Sequence, residues 1–306
     1  MKKDEHPLVQ VAKNYIQPQD LRVGGELRPE AASRIISMVQ KDTFLSKITI
    51  ERMKRLLKDV QVSNIVPRQL RRIPQGQEPT ETPDIDEHGC VLHALSVQLY
   101  PTITLDFLRD NVDNPNLVTQ VNEDFNITFQ NDLTDLAVNG TAEADVVTAQ
   151  NDFTKLNKGW LQIATESDNV TKTTIDPAAD GWIKTLATIR KASDYRYRPI
   201  STFVMNPDDA DAYDIEIGKH VTGAAIIANQ GGHNFLRQPI TVCRYMPQST
   251  VVLYTPLKNL VMGINTVIRR DSQWHARRRV LEFTYDMAID FEIAVKKAVV
   301  LAKLAN

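Results

Sequence analysis

Residues 281–293 read LEFTYDMAIDFEI. Leu281, Phe283, Tyr285, Met287, Ile289, Phe291 and Ile293 are apolar or aromatic, and Glu282, Thr284, Asp286, Ala288, Asp290 and Glu292 stand between them. This period-2 alternation predicts a β-strand with one dry face and one wet, acidic face. At ~3.3 Å per residue the run spans roughly 43 Å, about twice an ordinary strand. The preceding NLVMGINTVI alternates Leu260, Met262, Ile264 and Ile268, and RRDSQWHARRR joins it to the long run. Together they predict an antiparallel hairpin.

A strand of this length needs a long element to cover it, and the chain supplies one. In NPNLVTQVNEDFNITFQNDLTDLAVNG, Asn114 suits an N-cap, Pro115 the first helical position and Gly140 the stop. Val118, Val121, Phe125, Phe129, Leu133 and Leu136 fall on one helical stripe. A helix from Pro115 to Val138 is roughly 36 Å long, so helix and strand can lie along each other. Its charges are one-sided. No lysine or arginine occurs between Arg109 and Lys155, whereas Asp113, Glu123, Asp124, Asp132, Asp135, Glu143, Asp145 and Asp152 do. A self-sufficient surface helix offsets its acids with bases one turn away, and this one does not.

Composition sets wide bounds. The 306 residues suffice for one large domain or two, and 42% apolar with 24% charged residues is ordinary for a folded protein. A net charge of −2 gives no global basic field for nucleic acid. No apolar signal core opens the chain and no run reaches membrane-spanning length. Cys90 and Cys243, the only cysteines, read as two reduced thiols rather than a disulfide. The triplets starting at Asn126, Asn139 and Asn169 match the glycosylation pattern by chance.

Along the chain, residues 1–28 are polar and aperiodic, like an extended arm. Pro29 opens a short helix with Ala32, Ile35, Ile36 and Val39 on one stripe. From about 51 to 97 core residues are sparse, and Pro67, Pro74, Pro79 and Pro83 interrupt the run. Such a stretch suits an excursion that leaves the body. Arg68, Arg71 and Arg72 come first; Glu78, Glu81, Asp84, Asp86 and Glu87 follow. That order fits a hairpin with a basic and an acidic limb; a solvated loop is the competing reading. Leu95, Val97, Leu99 and then Ile103, Leu105, Phe107 alternate like two half-buried strands. From Gly159 the pattern is mixed α/β. DGWIKTLATIRKA is an amphipathic helix, ISTFVMNP a strand, DDADAYDIE a helix start, and PITVCRYMP and STVVLYTP are short strands stopped by proline. Trp160 and Trp182 read as core anchors.

Sites for chemistry are scarce. DIEIGKHVTG has Gly-Lys but lacks the upstream glycine and the Ser or Thr of a phosphate loop. No nucleophile elbow and no zincin helix occurs. His88, Cys90 and His93 could ligate zinc, but their spacing matches no common module and they leave a proline-rich stretch. The other reading is a hairpin limb that enters the body at Val91. Arg269, Arg270, Arg277, Arg278 and Arg279, with Trp274, form the strongest basic cluster. It could meet nucleic acid, or an acidic neighbour chain; the second is favoured, because the acidic complement lies in this same sequence.

The parts in order resemble a known family. A polar arm, FL-x-x-I at Phe44–Ile48, a charged proline-rich hairpin, an acidic helix ending in VNG, GWLQIA and a block with VMNP precede PITVCRYMP…VVLYTPLKNLVMGINTVIRR…RVLEFTYDMAIDFEIAVKKAVVLA. This is similar to the major capsid protein of tailed double-stranded DNA bacteriophages, the HK97-like fold, with P2-like phage capsids nearest in flavour. Order and spacing carry the likeness; no single motif does.

The resemblance implies an α+β fold in four parts: an N-terminal arm (1–49), an extended E-loop (50–98), a P-domain (99–157 and 260–292) with a spine helix on long antiparallel strands, and an α/β A-domain (158–259 and 293–306). It implies a non-enzymatic virion protein with no cofactor, assembling with itself as hexamers and pentamers into an icosahedral head around double-stranded DNA. Portal, scaffold and decoration proteins would be its other partners, and no membrane. The E-loop and arginine residues above become inter-subunit contacts; Glu123, Asp124, Asp132 and Asp135 become an acidic interior lining. An encapsulin-like shell around a protein cargo is the alternative. Some relatives cross-link an E-loop lysine, but no lysine lies between Lys58 and Lys155, so a non-covalent shell is expected. About fifty residues before the E-loop leave no room for the family's long scaffolding segment. Either a separate scaffold or a segment already removed is therefore expected.

Overall fold

The computed structural model describes residues 44–65, 85–110, 117–141, 153–220 and 234–304. The arm and its helix at 29–42, the loop residues 66–84, the cap at Asn114-Pro115 and the acids Asp113, Glu143, Asp145 and Asp152 lie outside them.

In chain order, β1 (Thr49–Met53) precedes β2 (Leu57–Ile65) and β3 (Ile85–His93), then β4 (Leu95–Leu99) and β5 (Thr102–Thr104). Helices α1 (Leu105–Asp110), α2 (Leu117–Asn139) and α3 (Trp160–Glu166) follow. Next come β6 (Thr171–Ile175), α4 (Pro177–Asp180), α5 (Trp182–Ala192), β7 (Thr202–Met205) and α6 (Pro207–His220). The chain continues through β8 (Asn234–Phe235), β9 (Gln238–Val242), β10 (Val251–Thr255), β11 (Leu260–Asn265), β12 (Arg269–His275), β13 (Val280–Ile293) and β14 (Val300–Leu304).

The long run is β13, the axis of the first sheet. Ile289 pairs with both Ile264 of β11 and Leu95 of β4, and Tyr285 with both Arg270 of β12 and Leu99 of β4. So β11 and β12 share one edge of β13, while β4 and β5 share the other. β1 adds to β11 in parallel. Two segments read as part of the excursion, 50–53 and 95–98, therefore belong to this sheet. The second predicted alternation ends early: β5 stops at Thr104, and Leu105 and Phe107 lie on α1. Leu105 N donates to Arg279 O (2.9 Å), which keeps the first residue of α1 tied to the turn before β13.

The second sheet has the order β6-β14-β10-β7-β9-β8. Both its faces are covered, so its strands read as unbroken apolar runs. On β10, Val251 and Leu253 enter one core, and Val252 and Tyr254 the other. The first core lies between the sheets and holds the dry face of β13 (Met287, Ile289, Phe291, Ile293) with Leu133, Leu136 and Ala137 of α2. Phe125 of α2 meets Phe283 at a ring distance of 6.2 Å, so helix and strand share an apolar seam as the sequence predicts. Phe44, Leu45 and Ile48 of the FL-x-x-I motif are buried there, and Trp160 contacts both Phe44 (6.2 Å) and Phe291 (5.7 Å). Trp160 thus serves the core of the first sheet, although the sequence groups it with the α/β block. The second core packs α5 and α6, with Trp182, Leu186, Ile189, Ala210 and Tyr213, on the far face of the second sheet.

The end of α2 meets the start of α3 where two glycines cross. Gly159 N donates to Gly140 O (2.9 Å), and a Cβ on Gly140 would stand 2.3 Å from the Asn157 carbonyl oxygen. Backbone cannot give way as a flexible side chain can. Gly140→Ala should cost about 1–3 kcal/mol through overpacking. At roughly 2–4 °C per kcal/mol, a melting scan should show a clear fall, and an unchanged midpoint would refute the crossing. No described helix is long and apolar enough to cross a membrane.

Candidate functional site

β2 and β3 form a two-stranded hairpin paired in register from Leu57↔His93 to Ile65↔Ile85. Its base rests on the face of β13 that alternation predicts to be wet. That prediction needs correction. Met53, Cys90, Leu92, Ala94, Val261, Ala288 and Ala294 form a third small core there. The acidic face is covered along its second half, where Asp290 and Glu292 are half-buried under the hairpin.

Gly263 shapes the seat. Glu51 of β1, Gly263 of β11 and Asp290 of β13 lie in one register row across three strands. The middle position has no side chain, and Leu92, fully buried, fills the gap. A Cβ on Gly263 would lie 2.7 Å from Met53 Sδ and 3.1 Å from Leu92 Cδ1. Polar contacts surround this knob. His93 N donates to Asp290 Oδ2 (2.6 Å). Lys58 Nζ donates to Glu51 Oε2 (2.7 Å) and to Arg52 O (3.2 Å). Ala94 N donates to Leu56 O (2.8 Å) and closes the base.

Burial controls the titration of this seat. Asp290 is held above the ordinary carboxylate range by loss of water, partly offset by the His93 and Phe291 N–H bonds. Burial also raises Glu292, with Lys296 opposing and Asp290 adding to the rise. The Cys90 thiol is pushed up to about 12, first by burial and then by Glu292, with Lys296 opposing. It is an inert, protonated group. The sequence signal for the seat was the lone glycine in a buried strand, which marks a close approach.

The zinc reading loses its geometry. Cys90 and His93 are three residues apart on β3 and so point to opposite faces. Cys90 is buried and His93 exposed. Among the described residues no group of three His, Cys, Asp or Glu is placed to hold a metal.

At the far end, the turn between β12 and β13 carries Arg277, Arg278 and Arg279, all exposed, with Arg279 in the left-handed region (φ 52°). The sequence favours an acidic neighbour chain as the partner of these arginines, and within the chain one pair already forms. Arg278 Nη1 meets Glu282 Oε1 at 2.7 Å, and His275 Nε2 meets Glu282 Oε2 at 2.8 Å. Arg269 is exposed and pairs in register with Asp286; Arg270 lies opposite Tyr285. Trp274 is exposed beside this tip. Asp86 and Glu87 sit on β3, opposite Asn64 and Ser63. Arg68, Arg71, Arg72, Glu78, Glu81 and Asp84 lie outside the described residues.

The acidic helix keeps its asymmetry, since α2 contains no Lys or Arg. Asp124 is exposed, and Glu123 lies one position earlier on the helix. Asp132 is raised by burial and by the nearby Asp135. Asp135 Oδ1 accepts from Asn139 Nδ2 (2.7 Å), which also donates to Tyr245 O (2.8 Å).

This assembly of two sheets, a long helix and a two-stranded hairpin is a known chain fold. A chain of the satellite phage P4 procapsid that includes the size determination (Sid) protein is similar, with TM-score 0.68 and 13% identity over 90% of this chain and 100% of that one. The capsid of an empty GTA particle gives TM-score 0.56 and 14% identity over 97% of this chain and 98% of that one. A chain of Mycobacterium phage Cain gives 0.53 and 13% over 86% and 90%. No protein-family model matches, and no curated protein is significantly similar in sequence. The likeness therefore lies in the fold.

Proposed function

We propose that the chain is the major capsid protein of a tailed phage, a structural subunit of the virion. One observation carries this most: nearly the full length matches chains of a procapsid and of a capsid end to end, with no large part of either left over. In this reading β2–β3 is the base of the E-loop, the first sheet with α2 is the P-domain, and the second sheet with α5 and α6 is the A-domain. Subunits assemble as hexamers and pentamers into an icosahedral shell around double-stranded DNA. The uncompensated acids of α2 line the interior and repel DNA at short range, which lets it slide. Scaffold, portal and decoration proteins are further partners of the class. Negative-stain imaging of the expressed chain, with and without co-expressed neighbouring genes, tests the reading. Closed shells support it; a monomer under every condition overturns it.

The shell should be non-covalent, because no lysine lies between Lys58 and Lys155 to cross-link the loop. Boiled particles should run as a monomer on denaturing gels, and a ladder of bonded oligomers would refute this. Loop acids of one subunit, among them Asp84 and Asp86, are proposed to meet tip arginines of the next. Arg278 already has Glu282, and an exposed pair contributes only ~0–1 kcal/mol, so exchange of partners is energetically cheap. Reversing Arg278 and Arg279 should leave a folded subunit that assembles poorly, with partial rescue by reversing Asp84 and Asp86. Normal assembly across a range of salt would remove these residues from the interface.

A further inference from the structure

Among the described residues, the β8–β9 hairpin is the one place where two consecutive non-glycine residues take positive φ. Its two-residue turn is Leu236-Arg237, with φ of 46° and 68°. A turn of this kind needs positive φ at both central positions and normally takes Asn-Gly. Leucine there is strained, and strain kept in a fold points to a use. The turn also exposes its leucine, which is 57% accessible.

Other groups gather at the same end. β7 and β9 are parallel, with Phe203 opposite Ile240 and Val204 opposite Thr241. A 3-10 turn, Arg198–Ile200, leads into β7 at the same end. Gln238 donates to Arg198 O, and Tyr254 Oη is shared between Arg198 O and Gln238 Oε1 (3.1 and 2.7 Å), which ties the 198–200 segment to the foot of the turn. Ile200 is 65% exposed and Tyr195 68%. Lys191 and Arg237 are exposed around them, as is Arg196, whose guanidinium is already paired with Asp194 (2.8 Å). The result is a basic knuckle with apolar anchors, on a rigid base.

The complementary surface starts at the other end of the same sheet and runs back along α6. α6 starts where β7 ends, and its N-terminal part is fixed by Asp209, which accepts from Ser249 N and Oγ at the far end of β9 and β10. Asp208, Asp211 and Ile215 form one exposed helical stripe. The helix holds five Asp or Glu against one lysine, Lys219, which is exposed one turn beyond Ile215. Asp208 and Asp211 stand near the Ser249 end of α6, whereas Tyr213 further along the helix reaches the hairpin in its own chain, its Oη donating to Asn234 O (3.0 Å).

We propose that the Leu236-Arg237 knuckle of one copy docks on the acidic α6 stripe of the next, with Leu236 and Ile200 against Ile215 and Arg237 against Asp208 and Asp211. Two different patches make a heterologous contact, which closes into a ring when the rotation allows. The inference rests on the shell reading and names the surfaces that set neighbouring copies around a capsomer. The strained turn holds Leu236 forward, so little ordering is left to lose on docking.

Cysteine pairing gives a direct test in the full chain. Leu236→Cys and Asp211→Cys are prepared separately, mixed and oxidised; both native cysteines are buried. A disulfide dimer should form at least tenfold faster in the mixture than in either variant alone. Equal rates in all three overturn the docking. A second variant reads assembly itself. Leu236→Asp with Arg237→Glu should keep the far-ultraviolet spectrum and melting midpoint but raise the concentration needed for assembly at least tenfold. Adding Asp208→Lys and Asp211→Lys should lower it again. If the double variant assembles like the parent, the docking fails and the shell reading stands. If the parent forms no closed particle under any condition, the shell reading fails as well.

Discussion

Gly263→Val should unseat the β2–β3 hairpin and leave the first sheet in place. The hydrogen of Gly263 faces Met53 and Leu92, and even a bare Cβ there would stand 2.7 Å from Met53 Sδ and 3.1 Å from Leu92 Cδ1. Met53 can swing its thioether aside. Leu92 cannot: it is fully buried, and β3 is tied down by the His93 N–H bond to Asp290. The branched side chain must therefore lift the hairpin base. Overpacking of this kind costs about 1–3 kcal/mol, or roughly 5–150-fold in the closed-to-open ratio. Cys90 reports the opening because it sits under the same base, while Cys243 lies in the core between the sheets. Thiol labelling at Cys90 should accelerate by one to two orders of magnitude, with Cys243 still protected. Parallel acceleration at both cysteines would mean that the sheet itself opened, and no change at Cys90 would remove Gly263 as the seat. In the shell reading this variant should also assemble into weak or irregular particles, because the loop that crosses to a neighbour has lost its footing.

The same seat should weaken as pH rises. Asp290 and Glu292 are raised mainly because the hairpin dries them. Lifting the hairpin returns both towards ordinary carboxylate values of about 4. The seated state therefore binds more protons than the open one, and the sign follows from linkage. Seating is strongest below the ordinary range and is progressively lost as pH climbs through the raised values. The charged and titratable groups around the pair are Glu51 on β1, Lys58 on β2, the neutral Cys90 thiol and His93 on β3, Lys158 before α3 and Lys296 after β13. Lys296 and Lys158 both oppose the rise at Glu292. Hydrogen exchange at Leu92 and His93, corrected for intrinsic rates, should show protection falling across that window. Asp290→Asn keeps an oxygen to accept from His93 N–H and removes the buried charge. It should flatten the pH slope and raise protection at neutral pH. An unaltered slope in Asp290→Asn combined with Glu292→Gln would refute the linkage.

Local pattern was enough for the long elements. Alternation in 281–293 predicts β13, the stripe from Phe125 to Leu136 predicts α2, and unbroken runs such as Val251–Tyr254 mark strands covered on both sides. Each follows from side-chain direction along one backbone segment, which the neighbouring residues set. Which surface covers which face is another matter. Glu282, Asp286, Asp290 and Glu292 look alike in sequence, yet Glu282 sits at the outer tip with Arg278 and His275, while Asp290 and Glu292 lie dried beneath Leu92 and Cys90. The row Glu51–Gly263–Asp290 joins three strands far apart in the chain, and the strain at Leu236-Arg237 depends on a turn length set by β8 and β9 pairing. Register and burial between distant segments are decided by which surfaces the whole chain brings together, so only the tertiary structure could show the seat and the knuckle.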